Sequence, residues 1–110
     1  MVLSRAEFSP LRSLGFASIS GVYANLGPAL TVRCKVFKLT NQTDGDLIIS
    51  TNGGIEDHIF MPAGTFTLYD VQTNTNSNKQ DLTVFPIGTQ FAVKQSTAPT
   101  EKAIYLETIE

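Results

Sequence analysis

The stretch over residues 40–71 constrains the fold of this chain most strongly, because three short apolar runs alternate there with two turn motifs. Asn52-Gly53-Gly54 separates the first run from the second, and Pro62-Ala63-Gly64 separates the second from the third. Asn-Gly tolerates the positive φ angles of a tight type I′ turn, while proline fixes φ and removes a hydrogen-bond donor. The stretch therefore predicts an antiparallel meander of three strands, within Leu47–Ile49, Ile55–Met61 and Phe66–Val71.

The remaining sequence repeats this pattern of short strands, with nothing helical between them. Leu30–Thr40 alternates apolar and polar residues, and the pattern slips by one position at Phe37, which predicts a bulge or a strand that passes between two sheets. The strand that contains Leu47–Ile49 is predicted to extend over Asp46–Thr51. Further strands are predicted at Leu82–Phe85, Gln90–Gln95 and Ala103–Ile109, with polar loops at Gln72–Asp81 and Ser96–Lys102. Seven strands, with an eighth near Phe16, predict an all-β, single-domain antiparallel β-sandwich of jelly-roll-like type.

Residues 1–29 differ from the rest, because their apolar residues are scattered among serine, arginine, glycine and proline. Pro10 limits any helix that begins near Ser4 to a turn or two. Two interpretations stay open: a loosely ordered leader, or an extended arm whose apolar side chains dock on a neighbouring subunit. The second gives five candidate contact residues, Leu3, Phe8, Leu11, Leu14 and Phe16. The expected organisation is an N-terminal arm with a first strand over residues 1–29, followed by a β-sandwich domain over residues 30–110.

Charged residues make up only 16% of the 110 residues, and the formal net charge is −2. This balance gives no basis for holding a nucleic-acid backbone, so Arg33, Lys35 and Lys38 are interpreted as a solvated strand face. The one cysteine, Cys34, excludes an internal disulfide and is expected to be a buried apolar residue. No segment approaches a membrane span or a secretory signal, so we expect a reducing cytosol and no membrane partner.

Glu56-Asp57-His58 is the cluster that most suggests catalysis or metal binding. In a strand only Glu56 and His58 share a face, and a structural zinc site needs four ligands. The sequence has no second histidine, no second cysteine and no G-x-S-x-G motif, so we expect no enzymatic activity, no metal and no cofactor. Asp44-Gly45-Asp46 is interpreted as a turn whose side chains satisfy backbone donors.

The C-terminal strand, Ala103–Ile109, presents apolar side chains to both of its faces, with Ile104 and Leu106 opposite Tyr105. A sandwich of two sheets leaves open edges, and an open edge pairs readily with another chain. We therefore predict self-association through these three residues, as a homodimer or a capsid-bound multimer.

Several motifs in the middle third of the chain resemble those of small virion proteins of tailed bacteriophages. They are Asn41-x-Thr43-Asp44-x-Asp46-Leu47, Ser50-x-x-Gly53, Asp57-His58, Pro62-Ala63-Gly64, Asp70-Val71 and Asn74. Their order is similar in particular to that in the capsid decoration (staple or cement) proteins of short-tailed phages. The resemblance implies a non-enzymatic β-sandwich protein, assembled in the host cytoplasm, that stabilises the outer capsid surface by bridging subunits of the major capsid protein.

Two other functions remain open at this point. A head–tail or tail component of similar architecture would have the same motifs. A small-molecule or carbohydrate-binding β module would use the polar loop at Gln72–Asp81 to line its site.

Overall fold

The structure, a computed structural model, describes residues 8–31, 33–34, 36–70 and 85–109. Within these ranges the chain forms eight strands and one turn of 3₁₀ helix, Phe16–Ser18. The strands are β1 (Arg12–Gly15), β2 (Ala24–Asn25), β3 (Val36–Asn41), β4 (Leu47–Ser50), β5 (Ile59–Met61), β6 (Phe66–Asp70), β7 (Ala92–Gln95) and β8 (Ala103–Ile109). Four predicted features lie outside the described residues: Leu3, Lys35, the loop Gln72–Asp81 and the strand Leu82–Phe85 up to its last residue.

The eight strands form two four-stranded sheets in which every strand pairing is antiparallel. Sheet A has the order β1-β8-β3-β6, and sheet B has the order β2-β7-β4-β5. Consecutive strands lie in opposite sheets except for β4 and β5, which is the connectivity of a jelly roll. The prediction of an all-β antiparallel sandwich is confirmed.

The core lies between the two sheets, because each long strand turns every second side chain inward. β3 and β8 alternate buried and partly exposed residues along their whole length. The ring of Phe37 lies 5.2 Å from that of Phe85 and 5.1 Å from that of Phe91, at interplanar angles of 76° and 63°. These are favourable edge-to-face contacts, and fully burying each such side chain contributes roughly 1.5–3 kcal/mol.

The predicted strand Leu30–Thr40 is shorter in the structure, where β3 begins at Val36. Before it, the backbone N–H of Leu30 donates to Thr89 and the N–H of Gly88 donates to Leu30, while Cys34 and Phe85 form an isolated antiparallel bridge. Individual backbone contacts with residues 85–89 therefore hold the described part of this segment. Cys34 and Phe37 are both buried although they are three residues apart. The expected change of phase is therefore present.

The tight turn predicted at Asn52-Gly53-Gly54 is wrong, although β4 and β5 do pair. The two strands are joined by eight residues, 51–58. Positive φ occurs at Gly53 and Gly54, at 73° and 98°, but not at Asn52, as a type I′ turn requires. Side-chain hydrogen bonds described below stabilise this longer loop instead.

The three central strands do not form a meander. β5 lies at the edge of sheet B, whereas β6 pairs with β3 at the edge of sheet A. Pro62-Ala63-Gly64 therefore turns the chain from one sheet to the other. The turn itself is present as predicted, with Gly64 at a φ of 72° and the Thr65 N–H donating to Pro62.

The boundary expected at residue 29 does not separate an arm from the sandwich in the described residues. β1 pairs with β8 in sheet A and β2 pairs with β7 in sheet B, while Ile19 and Leu26 lie in the core. The first strand is Arg12–Gly15 and not a segment near Phe16, which lies in the 3₁₀ turn. These residues were misread because each strand is short and its stabilising partners are distant in sequence.

The C-terminal strand is not an edge strand, which corrects the predicted self-association site. β8 lies between β1 and β3 and pairs with both along its length. Ile104 and Leu106 are fully buried in the core, and Tyr105 is half-buried on the opposite face. No backbone edge of β8 is left to pair with another chain.

Candidate functional site

The motif at residues 41–46 contributes much of the resemblance to phage virion proteins. In the structure it links the ends of two strands. The amide nitrogen of Asn41 donates to the carbonyl oxygens of Gly45, Met61 and Pro62 at 3.0, 3.1 and 3.2 Å. Its side-chain oxygen accepts from the backbone N–H and the hydroxyl of Thr43, at 3.0 and 2.6 Å. Both side chains are buried, so the amide links the end of β3 to the end of β5.

The two aspartates of this motif bind neighbouring loops. The carboxylate of Asp44 accepts from the hydroxyl and the backbone N–H of Thr100, and these bonds lower the pKa of Asp44. The carboxylate of Asp46 accepts from the backbone N–H of Ala63 at 3.0 Å. The two carboxylates satisfy backbone donors, as expected, but these donors lie in loops distant in sequence, at Thr100 and Ala63, and not within the turn itself.

A second set of polar side chains shapes the loop at residues 51–58. The hydroxyl of Ser50 donates to the side-chain oxygen of Asn52 at 2.7 Å and accepts from the N–H of Gly54 at 3.0 Å. The side-chain amide of Asn52 in turn makes two hydrogen bonds with Glu56. Its nitrogen donates to the Glu56 carboxylate, and its oxygen accepts from the backbone N–H of Glu56. Gly54 lies against Tyr23, because a Cβ at this position would be 2.8 Å from the Tyr23 Cβ.

Asp57 attaches the same loop to β2 and β7. Its carboxylate accepts from the Tyr23 hydroxyl at 2.5 Å and lies 3.2 Å from the Lys94 ammonium. Lys94 also lies 4.8 Å from the centre of the Tyr23 ring, a cation–π contact. Burial and the bond to Asp57 raise the pKa of Tyr23, while the bonds from Tyr23 and Lys94 lower the pKa of Asp57.

Glu56 and His58 do not share a strand face, because both lie in the loop before β5 begins at Ile59. The backbone N–H of Thr51 donates to His58 Nδ1 at 3.0 Å, whereas Glu56 binds Asn52. Within the part of the chain that the structure describes, no group of three or more potential metal ligands comes together. The polar side chains of these motifs therefore stabilise the conformations of their loops.

The outer surface of sheet A also has large apolar side chains that remain exposed. Phe8, Phe66, Leu68 and Leu11 are 73%, 67%, 61% and 60% exposed. We call this surface the apolar face. It consists of Leu11, Ser13, Val36, Lys38, Thr40, Phe66, Leu68, Tyr105, Glu107 and Ile109, with Phe8 at its edge.

The apolar face is not flat. A largely apolar cavity of about 190 Å³ lies between Phe8, Val36, Leu68 and Ile109. The Lys38 ammonium lies 5.0 Å from the centre of the Phe66 ring, and Glu107 is opposite Lys38 in the ladder. A pair of opposite charges therefore occupies the middle of an apolar surface.

The structure brings together only some of the residues proposed from sequence. Phe8 and Leu11 lie on or beside the apolar face, whereas Leu14 packs against the core. Phe16 is 39% exposed in the 3₁₀ turn. Sequence reasoning missed Phe66 and Leu68, although both alternate with Thr67 and Tyr69, which a strand would turn to the opposite side.

Comparison with known proteins adds no assignment. No protein-family model matches the chain, and neither the curated proteins nor the solved structures include a significant match. In the described ranges, no helix has the length and apolar character needed to cross a membrane.

Proposed function

We propose that this chain is a non-enzymatic virion protein of a tailed bacteriophage that decorates the outer capsid surface and stabilises it by bridging subunits of the major capsid protein. The apolar face is the observation that carries the proposal. Its four most exposed apolar residues present on the order of 500 Å² of surface to water in total, comparable with the largest patch of a typical monomer. Lys38 and Glu107 divide this area between the two edges of sheet A. A surface of this kind usually binds another protein.

The use of the polar residues supports a non-catalytic role. Asn41, Asp44, Asn52 and Asp57 each have partners within the fold, and in the described residues every buried side-chain nitrogen and oxygen has a partner. A catalytic group must instead be available to a substrate. The net charge of −2 likewise favours a protein partner over nucleic acid.

The energetics of the apolar face are sufficient for a contact with another protein chain. Burying apolar surface contributes roughly 25 cal/mol per Å², so the four residues would contribute on the order of 10 kcal/mol. Association costs an estimated 4–15 kcal/mol in lost freedom, so the face alone gives a modest affinity. Many copies on a repetitive shell gain further from multivalency, which suits a protein that bridges subunits.

Two experiments test the proposal. The first locates the protein in purified phage particles, and the second measures its binding to capsid shells from which it has been removed. We expect density on the outer shell between capsid subunits in cryo-electron microscopy, and rebinding of the purified protein. Density confined to the tail would favour a head–tail or tail component. Absence from particles would overturn a virion role.

A matched pair of variants tests the face itself. Leu68→Ser removes an apolar residue from the face, while Ile87→Ser removes one of equal exposure, 63% against 61%, from a loop elsewhere. Because one buried aliphatic side chain contributes roughly 1.5–3 kcal/mol, we expect Leu68→Ser to weaken shell binding by about tenfold or more. Equal binding of the two variants would exclude the apolar face from attachment.

A further inference from the structure

The ladders of sheet A arrange the apolar face in rows that cross all four strands. Glu107 is opposite Lys38, which is opposite Leu68. The register of β1 and β8, continued by one residue from Arg12 and Leu106, places Leu11 beside Glu107. The central row therefore reads Leu11, Glu107, Lys38, Leu68 across β1, β8, β3 and β6.

This row is complementary to itself under a two-fold axis. If the axis runs along the strands between β8 and β3, β1 of one copy faces β6 of its partner, and β8 faces β3. Each Glu107 then faces a Lys38 of the other copy, and each Leu11 faces a Leu68. An isologous dimer requires this kind of self-complementarity.

The neighbouring rows fit the same axis. Tyr105 is opposite Thr40 within one copy, and the axis places each against the other residue of the second copy. Ile109 and Val36 exchange in the same way, which pairs apolar side chains. Like charges do not meet in any of these described pairs.

The charges in the middle of the face decide between occupants. A partner that covered the face would have to desolvate both Lys38 and Glu107, and an unpaired buried charge costs several kcal/mol. Under a neutral apolar partner Lys38 and Glu107, which are opposite one another in the ladder, would have only each other as charged partners. A second copy supplies both opposite charges, at the matching spacing, by symmetry alone.

The face is also large enough for a dimer. Strands about 4.8 Å apart and rows about 6.7 Å apart give four strands and three rows a footprint of roughly 20 by 20 Å. The two flat footprints total roughly 800 Å², and protruding side chains bring the accessible area removed from water to on the order of 1,000 Å², the size of a weak or transient interface. Two sheets pack face to face about 10 Å apart with their strands within about 30° of parallel.

We infer that a second copy of this chain covers the apolar face, in a two-fold dimer that packs sheet A against sheet A. The inference rests on the proposed function in assigning this face to protein contacts, but it makes a second copy, and not the capsid, the partner that covers the face. Contact with the shell then falls to sheet B and its loops, and the apolar face contributes to attachment by joining two such surfaces in one dimer. In the dimer each copy keeps its sheet B and the loops of that sheet exposed, so two identical surfaces lie on opposite sides. Two identical surfaces of this kind suit a protein that bridges two capsid subunits.

Charge exchange gives a test that contacts within one copy cannot mimic. Lys38→Glu and Glu107→Lys each place like charges opposite one another in their own dimers, and each should weaken dimerisation at least about tenfold. An equal mixture of the two variants restores opposite charges at both contacts, so a mixed dimer should form. Native mass spectrometry separates the mixed dimer, of about twice 11.9 kDa, from the monomers.

Several results would overturn the inference. They are a monomeric unmodified protein across the whole soluble concentration range, single variants that dimerise normally, or a mixture that stays monomeric. Glu101→Lys, a charge change in an exposed loop, is the control and should dimerise normally. Melting curves show that each variant is folded before it is mixed.

A second measurement serves if a charge variant does not fold. Leu11→Cys and Leu68→Cys place thiols on facing residues of the two copies. Oxidation should cross-link the mixture of the two proteins, and neither protein alone. No cross-link in a mixture of folded proteins would contradict the two-fold arrangement.

The outcome is separate from that of the proposed function. A monomer that binds shells would overturn the dimer and keep the capsid role. A dimer that is absent from particles would support the two-fold arrangement and overturn the capsid role.

Discussion

Replacing Asn41 with alanine tests whether the central motif is structural. The change removes three hydrogen bonds to the carbonyl oxygens of Gly45, Met61 and Pro62 and two bonds from Thr43. Asn41 is fully buried, so water cannot replace the amide without opening the structure. The fold loses the link between the ends of β3 and β5.

The expected cost follows from the groups left without partners. Each buried polar group that loses its partner costs about 1–3 kcal/mol. The Gly45 carbonyl keeps a bond from the Thr43 hydroxyl at 3.1 Å and the Pro62 carbonyl keeps one from the Thr65 hydroxyl at 2.6 Å, so the bonds lost without replacement are those of the Met61 carbonyl and the Thr43 N–H. We therefore expect Asn41→Ala to lower the free energy of unfolding by about 3–5 kcal/mol. This is a large part of the roughly 5–15 kcal/mol of a domain of this size.

Thermal unfolding followed by circular dichroism measures the effect. At about 4–8 °C per kcal/mol, we expect the melting temperature to fall by about 12–40 °C. The control is Gln42→Ala, because Gln42 is the exposed neighbour and should change stability by less than about 0.5 kcal/mol. A loss below about 1 kcal/mol for Asn41→Ala would show that the amide does not hold the strand ends together.

Two further predictions concern the loop at residues 51–58. Gly53→Ala and Gly54→Ala both force a side chain into positive φ, at a cost of about 1–2 kcal/mol, but only the second meets Tyr23. Urea denaturation should therefore show a larger loss for Gly54→Ala, and equal losses would mean that Tyr23 moves aside freely. The raised pKa of Tyr23 means that the folded state holds the phenol proton more tightly, so this contribution is complete below pH about 10 and is lost above it. The lowered pKa of Asp57 has the opposite sign, so its contribution is present above pH about 4 and is lost as the pH falls further. Stability curves of Tyr23→Phe and Asp57→Asn should lack the alkaline and the acid component respectively, and curves parallel to that of the unmodified protein would refute the coupling.

Local pattern alone determined the fold class of this protein. Alternation with a period of two identifies which side chains of β3 and β8 turn inward, because successive side chains of a strand point to opposite faces. The turn at Pro62-Ala63-Gly64 was also predictable, since its residues fix the backbone by their own covalent structure. Leu39 and Leu106 could thus be assigned to a core before any partner was known.

Which strands pair was decided only by the tertiary structure. Ala103–Ile109 looks like an edge strand in sequence, but Arg12–Gly15 covers one side of it and β3 covers the other. Nothing in a four-residue segment signals this role, because its stability comes from partners more than ninety residues away, as in the contact of the Arg12 guanidinium with Thr108. The loop after β4 is a second example, because its conformation depends on the contact between Tyr23 and Asp57.

The candidate site shows this division most clearly. Sequence spacing identified Phe8 and Leu11 as apolar residues without a local partner, but it placed them on an arm. The apolar face exists only because the ladders of sheet A align Leu11, Lys38, Leu68 and Glu107 in one row. Alternation determines the side of a strand on which a residue lies, whereas the register between distant strands determines its neighbours, and register is a property of the folded chain.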